Sequence, residues 1–205
     1  MNPVKNVSAT VLAYFQVAKK CSGKPSREER VLKKYFVLIV FSFLVMPGVL
    51  AQTFTNETAT AAAGVTGLME GSVAWADYDN DGDFDFLLTG QDDYDDYYSN
   101  LWQNNNGTFT NVTATTVPGL LGLYASSVTW ADYDNDGDLD FLITGAITSY
   151  KTSQLWQNNN GTFADVTATA APGLPGVFKG SVAWADYDND GDLDFLITGY
   201  VNAAR

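Results

Sequence analysis

The sequence predicts an all-β fold built from repeated antiparallel sheets, and three observations support this class. An aspartate-rich segment at residues 75–90 returns almost unchanged at 130–145 and 184–199, with spacings of 55 and then 54 residues. Short runs of β-branched and aromatic residues flank turns that contain Gly and Asn in each copy. A fixed period of this length indicates repeating supersecondary units.

Each unit contains four strand signals, which we name strands A to D. In the first unit they lie at residues 72–76, 84–89, 101–104 and 108–112. Strand B is apolar on both faces, as expected of a strand between two neighbouring sheets. Strands C and D flank an Asn-Asn-Gly turn at 105–107, which favours a hairpin because Asn and Gly accept positive φ. Helix signals are absent from the repeats, so we expect no helix there.

A four-stranded unit of this length is typical of a β-propeller blade. We place the repeats at about 53–107, 108–161 and 162–205, within one repeat region at 52–205. A single strand D at 53–58 precedes two complete units and a third with strands A and B. Because propellers close with about four to eight blades, we predict an open partial array of about two and a half blades. Completing a ring would require further blades in the same or another chain.

The first 51 residues differ in charge from the rest. They hold eight basic and two acidic side chains, whereas residues 52–205 hold three basic and 22 acidic ones. Two lysines precede an apolar run at 35–45, which is short for a membrane span and typical of a secretory signal peptide. The sequence therefore predicts a secreted or cell-surface protein. The alternative is an uncleaved membrane anchor.

Small residues Val49 and Ala51 occupy the two positions that a signal peptidase reads, so we expect cleavage after Ala51 and no stable membrane span thereafter. The region before the apolar run is long, and a more ordinary signal sequence begins at Val31. Residues 1–30 are therefore interpreted as an over-long start, which detecting them in the unprocessed protein would refute.

Composition excludes several kinds of chemistry. The chain has no histidine, and its one cysteine, Cys21, lies in the leader. Disulfides within the repeats, Cys or His zinc sites and Ser-His or Cys-His catalysis all lack their components. The acidic repeats repel nucleic acid and favour cations, basic partners or neutral glycans. No pair of acidic residues outside the acidic loops has the buried, asymmetric setting of an acid/base couple, so we expect no enzymatic activity.

The repeated acidic segment has the spacing D-x-D-x-D-G-x-x-D, at which a tight loop wraps a hard cation. An EF-hand loop needs an acidic residue at position twelve, where these loops have Leu88, Ile143 and Ile197. The last acidic residue is at position nine instead. Gly82 and its equivalents supply the sharp turn. Calcium is favoured over magnesium, which prefers water-rich octahedral sites.

This loop between two short strands, with a Trp two residues ahead and N-N-G-x-F downstream, resembles the FG-GAP or VCBS repeats of integrin-α-like β-propellers. The resemblance covers residues 53–205 and implies about three calcium sites, one in each repeat. It implies side-chain ligands from the first, third, fifth and ninth loop positions and a main-chain carbonyl from the seventh. In chain order these residues are Asp77, Asp79, Asp81, Asp83 and Asp85; Asp132, Asp134, Asp136, Asp138 and Asp140; and Asp186, Asp188, Asp190, Asp192 and Asp194.

In an antiparallel blade, the turns between strands A and B and between strands C and D share one face, and the loops between strands B and C lie on the opposite face. A ligand site is expected on that opposite face, because the loops between strands B and C differ between repeats. Tyrosines beside carboxylates suit sugars or basic peptides, since rings offer stacking area and carboxylates accept hydrogen bonds. The candidates in the first such loop are Asp92, Asp93, Tyr94, Tyr97 and Tyr98. The alternative is an ordinary solvated loop. The tryptophans are expected in the core; they are Trp75, Trp102, Trp130, Trp156 and Trp184.

The resemblance implies a secreted or surface-exposed calcium-binding module for adhesion or for binding a protein or carbohydrate. Two alternatives remain open. The chain could be a fragment of an extracellular polysaccharide-active enzyme, as some related propellers cleave polysaccharides, or a passive spacer in a larger surface protein. Fold analogy by itself does not decide among them.

Overall fold

The computed structural model describes residues 54–148 and 150–201, which form ten strands and three one-turn helices. The predicted leader, its signal peptide and the cleavage site lie outside these residues. The helices are α1 Thr58–Ala61, α2 Thr113–Thr116 and α3 Thr167–Ala170. The strands are β1 Met69–Ala76, β2 Asp85–Gln91, β3 Tyr97–Asn105, β4 Thr108–Asn111, β5 Tyr124–Ala131, β6 Asp140–Ala146, β7 Lys151–Asn158, β8 Phe163–Asp165, β9 Val177–Ala185 and β10 Asp194–Val201. None of the described helices has the length and apolar character needed to cross a membrane.

The strands form three antiparallel sheets in chain order. The first sheet is β1-β2-β3-β4, the second is β5-β6-β7-β8, and the third pairs β9 with β10. Strands A to D of the first two repeats are therefore hydrogen-bonded neighbours, and strands A and B pair in the third, as the sequence predicts. The described residues make two complete four-stranded blades and one two-stranded sheet, which do not close into a ring. The predicted all-β, propeller-type fold is confirmed.

The sheets stack on one another through an apolar core. Every residue of β6 is buried, because this strand lies between the first and third sheets. The first core cluster joins Leu87 and Leu101 of the first sheet to Phe141 and Trp156 of the second. The second cluster joins Leu142 of the second sheet to Val182 of the third. Each sheet thus packs against the next sheet in chain order, and equivalent surfaces of the repeats form both interfaces.

The predicted N-terminal strand D is not formed. Residues 54–57 have no regular structure, and α1 begins at Thr58. A strand D is stabilised by a neighbouring strand C, and the described part of the chain offers no such partner at this position. The segment instead closes a turn in which Asn56 Oδ1 accepts the N–H of Thr58 at 3.1 Å.

The prediction of no helix in the repeats is also wrong, because each link between repeats contains one helical turn. An Asn or Asp two residues ahead of a Thr accepts that residue's N–H at the start of each turn. The bonds join Asn111 to Thr113 at 3.1 Å and Asp165 to Thr167 at 3.0 Å. The Thr hydroxyl also accepts the N–H of a strand C residue, as from Leu101 to Thr113 at 2.8 Å. These polar starts favour helical turns and could have been read from the sequence.

The tryptophans divide by position in the stack. Trp102 and Trp156 are buried, and Trp130 and Trp184 pack partly buried against the core clusters. Trp75 is 56% exposed, so its predicted core position is wrong. Its equivalent, Trp130, lies against the first sheet and donates its indole N–H to the carbonyl of Ala74 at 3.2 Å. Trp75 has no preceding sheet to cover it among the described residues.

Candidate metal centres

Each acidic loop connects strands A and B and is folded around its first aspartate. Asn80 and Gly82 have φ of 57° and 95°. This backbone turn directs the N–H groups of Asp81 and Gly82 toward the carboxylate of Asp77. Asp77 accepts the N–H of Asp81 at 3.0 Å and that of Gly82 at 3.1 Å. Asp132 and Asp186 make the same two bonds in their loops. The loop is therefore closed by a side chain rather than by a backbone pair.

Three carboxylates of each loop converge, with ligand oxygens within 4.8 Å of one another. Two loops use their first, third and ninth positions, and the second loop uses its first, third and fifth. The groups are Asp77, Asp79 and Asp85; Asp132, Asp134 and Asp136; and Asp186, Asp188 and Asp194. The structure thus gathers three of the five expected residues in each loop.

The seventh-position aspartates direct their side chains away from these groups. Asp83 Oδ2 accepts the N–H of Asn106 at 2.8 Å, and Asp138 Oδ2 accepts that of Asn160 at 2.8 Å. These bonds tie the acidic loop to the turn between strands C and D, so both turns lie on one face of the blade. The use of the main-chain carbonyl of Asp83 as a ligand stays a prediction. Asp81 Oδ1 accepts the N–H of Asp83 at 2.8 Å.

The ninth-position aspartates of the complete blades are fully buried. Asp85 accepts the N–H of Tyr78 at 3.2 Å and that of Asn104, on strand C, at 2.7 Å. Asp140 makes the equivalent bonds at 3.1 and 2.7 Å. Burial raises the pKa of Asp85 to about 6 and that of Asp140 to about 7, although these N–H donors act to lower them. Buried carboxylates with raised pKa values mark candidate functional sites.

The third loop is less constrained within the described residues. Asp194 accepts the N–H of Tyr187 at 3.3 Å. No described strand C lies beside β10, so the second donor found for Asp85 and Asp140 is missing here. Asp194 is also partly exposed. The three loops share a sequence but differ in how firmly their ninth residue is held.

A glutamine on strand C orients the third-position aspartate, and sequence reasoning missed this role. Gln103 Nε2 donates to Asp79 Oδ2 at 2.6 Å, and Gln157 donates to Asp134 in the second blade. The available signal was the segment L-W-Q-N-N-N-G, which recurs in step with the acidic loop. Its N-N-G part predicts the hairpin turn between strands C and D, and its Gln supplies the hydrogen bonds that position the acidic groups.

The loops fit a hard divalent cation. Asp79 Oδ1 is a buried oxygen that receives no hydrogen bond, while the other oxygen of this carboxylate binds Gln103. A buried anionic oxygen without a donor is costly unless positive charge lies nearby. The basic side chains of the described residues, Lys151 and Lys179, lie over the ring of Phe178 rather than in the loops. Carboxylate oxygens are the ligands that calcium prefers.

Neighbouring loops touch through a repeated side-chain contact. Asn80 Nδ2 donates to Asp138 Oδ1 of the next repeat at 3.1 Å, and Asn135 Nδ2 donates to Asp192 Oδ1 at 3.4 Å. The fourth position of one loop therefore meets the seventh position of the following loop. The acidic loops form a continuous row along one face of the stack.

The candidate ligand loop on the opposite face is organised by Asp92. This carboxylate is 8% exposed and accepts the N–H groups of Tyr94 and Asp96 and the hydroxyl of Tyr98. Tyr97 belongs to β3 and stacks on Tyr124 with ring centroids 4.9 Å apart. Among the five candidates, Asp93 and Tyr94 are exposed on the loop. Ligand binding at this loop stays a prediction.

Stacked antiparallel sheets, with an aspartate cluster in each A to B turn, define a repeat protein of the β-propeller type. A family model described as the FG-GAP-like repeat matches residues 77–143 and 145–197, which is more than half of the chain. The chain belongs to the FG-GAP-like repeat family, so the resemblance seen in the sequence is confirmed. Comparisons with curated proteins and with solved structures give no significant match. Repeats of this family are typically extracellular, often bind calcium and are generally non-catalytic.

Proposed function

We propose that this chain is a secreted or cell-surface calcium-binding repeat module that serves adhesion or the binding of a protein or carbohydrate. The observation that carries the calcium assignment is the buried Asp79 oxygen without a hydrogen-bond donor, inside a group of three converging carboxylates. Membership of the FG-GAP-like family supports the same assignment. The converging groups would hold the ions: Asp77, Asp79 and Asp85; Asp132, Asp134 and Asp136; and Asp186, Asp188 and Asp194.

The ion has a structural role in this proposal. Each loop joins strands A and B. In the two complete blades, Gln and Asn residues of strand C also bond to the loop carboxylates, so a bound ion would secure three strands of the blade. With a dissociation constant of ~0.1 mM and extracellular calcium of ~1 mM, each site contributes roughly 1.4 kcal/mol. Three such sites matter for a domain of ordinary marginal stability.

Partner binding belongs to the face opposite the acidic loops. The repeats differ there, and Asp93 and Tyr94 are exposed on an ordered loop. An aromatic ring beside a carboxylate suits a sugar or a basic peptide. An extracellular protein or glycan is therefore the expected partner.

Calcium binding is tested by calorimetric titration and thermal unfolding of the full chain. We expect chelation to lower the melting temperature, calcium to restore it, and Asp79→Asn to remove one site. The matched control is Asp93→Asn, which makes the same chemical change on an exposed loop and should retain every site. An unchanged melting temperature on chelation would sink the calcium assignment.

Partner binding is tested separately on glycan and protein arrays at about 1 mM calcium. Binding that is lost in Tyr94→Ala and kept in Asp79→Asn with residual calcium would support the opposite face. Turnover of a polysaccharide would favour the enzyme alternative. Absence of both binding and turnover would favour the spacer.

A further inference from the structure

The three repeats place equivalent side chains in three environments, and this comparison identifies an uncovered face at the start of the stack. Val128 and Val182 pack against the preceding sheet, and each is 7% exposed. Their equivalent in the first sheet, Val73, is 54% exposed, and Trp75 beside it is 56% exposed. We call the surface around Val73 and Trp75 the leading face.

A second uncovered face lies on the third sheet. Leu87 and Leu142 are fully buried beneath the next sheet, whereas the equivalent Leu196 is 69% exposed. Tyr78 is 3% exposed and packs near Phe163 of the following sheet, whereas its equivalent Tyr187 is 74% exposed. We call the surface around Tyr187 and Leu196 the trailing face.

These two faces already fit each other twice within the chain. The leading side of the second sheet covers the trailing side of the first, and the third covers the second in the same way. The contacts between sheets come mainly from strands A and B, and both strands are present in the third sheet as β9 and β10. The trailing face thus carries most of the surface that a leading face requires.

The row of acidic loops supplies a polar contact that would set the register. Within the chain, the fourth-position Asn of one loop donates to the seventh-position Asp of the next. At the two uncovered faces the corresponding residues are Asn189 on the trailing side and Asp83 on the leading side. Among the described residues neither makes this contact between repeats, so a docked copy could add it.

We infer that the leading face of one copy of this chain binds the trailing face of a second copy, head to tail. The contact continues an interface that the fold already uses, and it covers apolar side chains that soluble proteins rarely leave exposed in one patch. Such a heterologous contact produces a ring if its rotation closes and a filament if it does not. The net charge of −13 opposes association, so moderate salt should favour it.

Analytical ultracentrifugation of the full chain over a range of concentrations tests this inference, with calcium at about 1 mM and salt at about 0.3 M. We expect the weight-average molar mass to increase with protein concentration. Trp75→Glu and Leu196→Glu should each weaken self-association by about 100-fold, because each places a charge in a contact centre. Tyr150→Glu alters an exposed ring between β6 and β7 and is the control that should leave association unchanged.

A mixture of the Trp75→Glu and Leu196→Glu variants distinguishes head-to-tail contact from other modes of association. Trp75→Glu keeps its trailing face and Leu196→Glu keeps its leading face, so together they should form a 1:1 dimer that grows no further. Far-ultraviolet circular dichroism checks that each variant is folded.

Three outcomes overturn the inference. The first is a monomeric full chain at about 100 µM, and the second is a Leu196→Glu variant that still self-associates, which indicates contact between like faces. The third is a mixture of Trp75→Glu and Leu196→Glu that contains no 1:1 dimer.

Discussion

Replacing Asp85 by Asn tests whether this buried carboxylate binds calcium or serves only as a hydrogen-bond acceptor. Without calcium, the wild-type chain buries a negative charge, and burial raises the pKa of Asp85 from 3.8 to about 6. Since a tenfold change in proton affinity corresponds to about 1.4 kcal/mol, the buried charge costs at most about 3 kcal/mol at pH 8. Asn removes that charge and keeps one acceptor oxygen.

The substitution also has a cost, because the carboxylate accepts two backbone N–H groups and the amide can accept one with its single oxygen. A buried N–H left without an acceptor costs about 1–3 kcal/mol. In chelator at pH 8, Asp85→Asn should therefore be as stable as the wild-type chain or more stable by up to about 2 kcal/mol. With calcium at about 100 times the dissociation constant, the wild type gains about 2.7 kcal/mol at this site, which the variant forgoes. The order of stability should then reverse.

The measurement is the free energy of unfolding from urea denaturation, at pH 8, in chelator and in excess calcium. The control, Asp93→Asn, should track the wild-type chain in both conditions because this residue is exposed. A loss of stability in Asp85→Asn that is equal with and without calcium would refute the reasoning. It would show that the carboxylate is only a hydrogen-bond acceptor for strands A and C.

Three further outcomes are expected. Gln103→Ala should weaken one calcium site about 10-fold in calorimetry, because it removes the donor that positions Asp79, and leave stability in chelator nearly unchanged. In chelator, the free energy of unfolding should fall from pH 5 to pH 8, because the raised pKa values of Asp85 and Asp140 favour the protonated folded state. Urea denaturation at each pH measures this fall, which should be smaller in excess calcium. Leu142→Ala should cost about 2–5 kcal/mol and Leu196→Ala less than about 0.5 kcal/mol when dilute, because the first side chain is buried and the second is exposed.

The repeat architecture was predictable because local signals and periodicity agree. Alternating loop carboxylates, Asn-Asn-Gly turns and doubly apolar strands all place the same four strands, and β2 and β6 are buried on both faces as expected. The acidic loops were predictable for the same reason, since their residues are neighbours in sequence. Short-range patterns therefore specified both the blade and the carboxylate cluster.

Features that depend on neighbours in space were harder to predict. Trp75 and Trp130 occupy the same place in the repeat, yet their exposure differs because one has a sheet in front of it and the other does not. Strand D at residues 53–58 failed in the same way, for want of a partner strand. The hydrogen bond from Gln103 to Asp79 was also hard to predict, because it depends on strand C lying beside the acidic loop in the folded blade.

The dependence of the ninth loop aspartate on strand C has a consequence for the order of assembly. The N–H that holds Asp85 comes from Asn104, 19 residues later in the chain, and the equivalent pair in the second blade is 18 residues apart. An acidic loop that has just emerged during synthesis or export lacks this donor until strand C has joined the sheet. We therefore expect tight calcium capture to follow blade closure, so that the ion secures finished blades one after another instead of nucleating them.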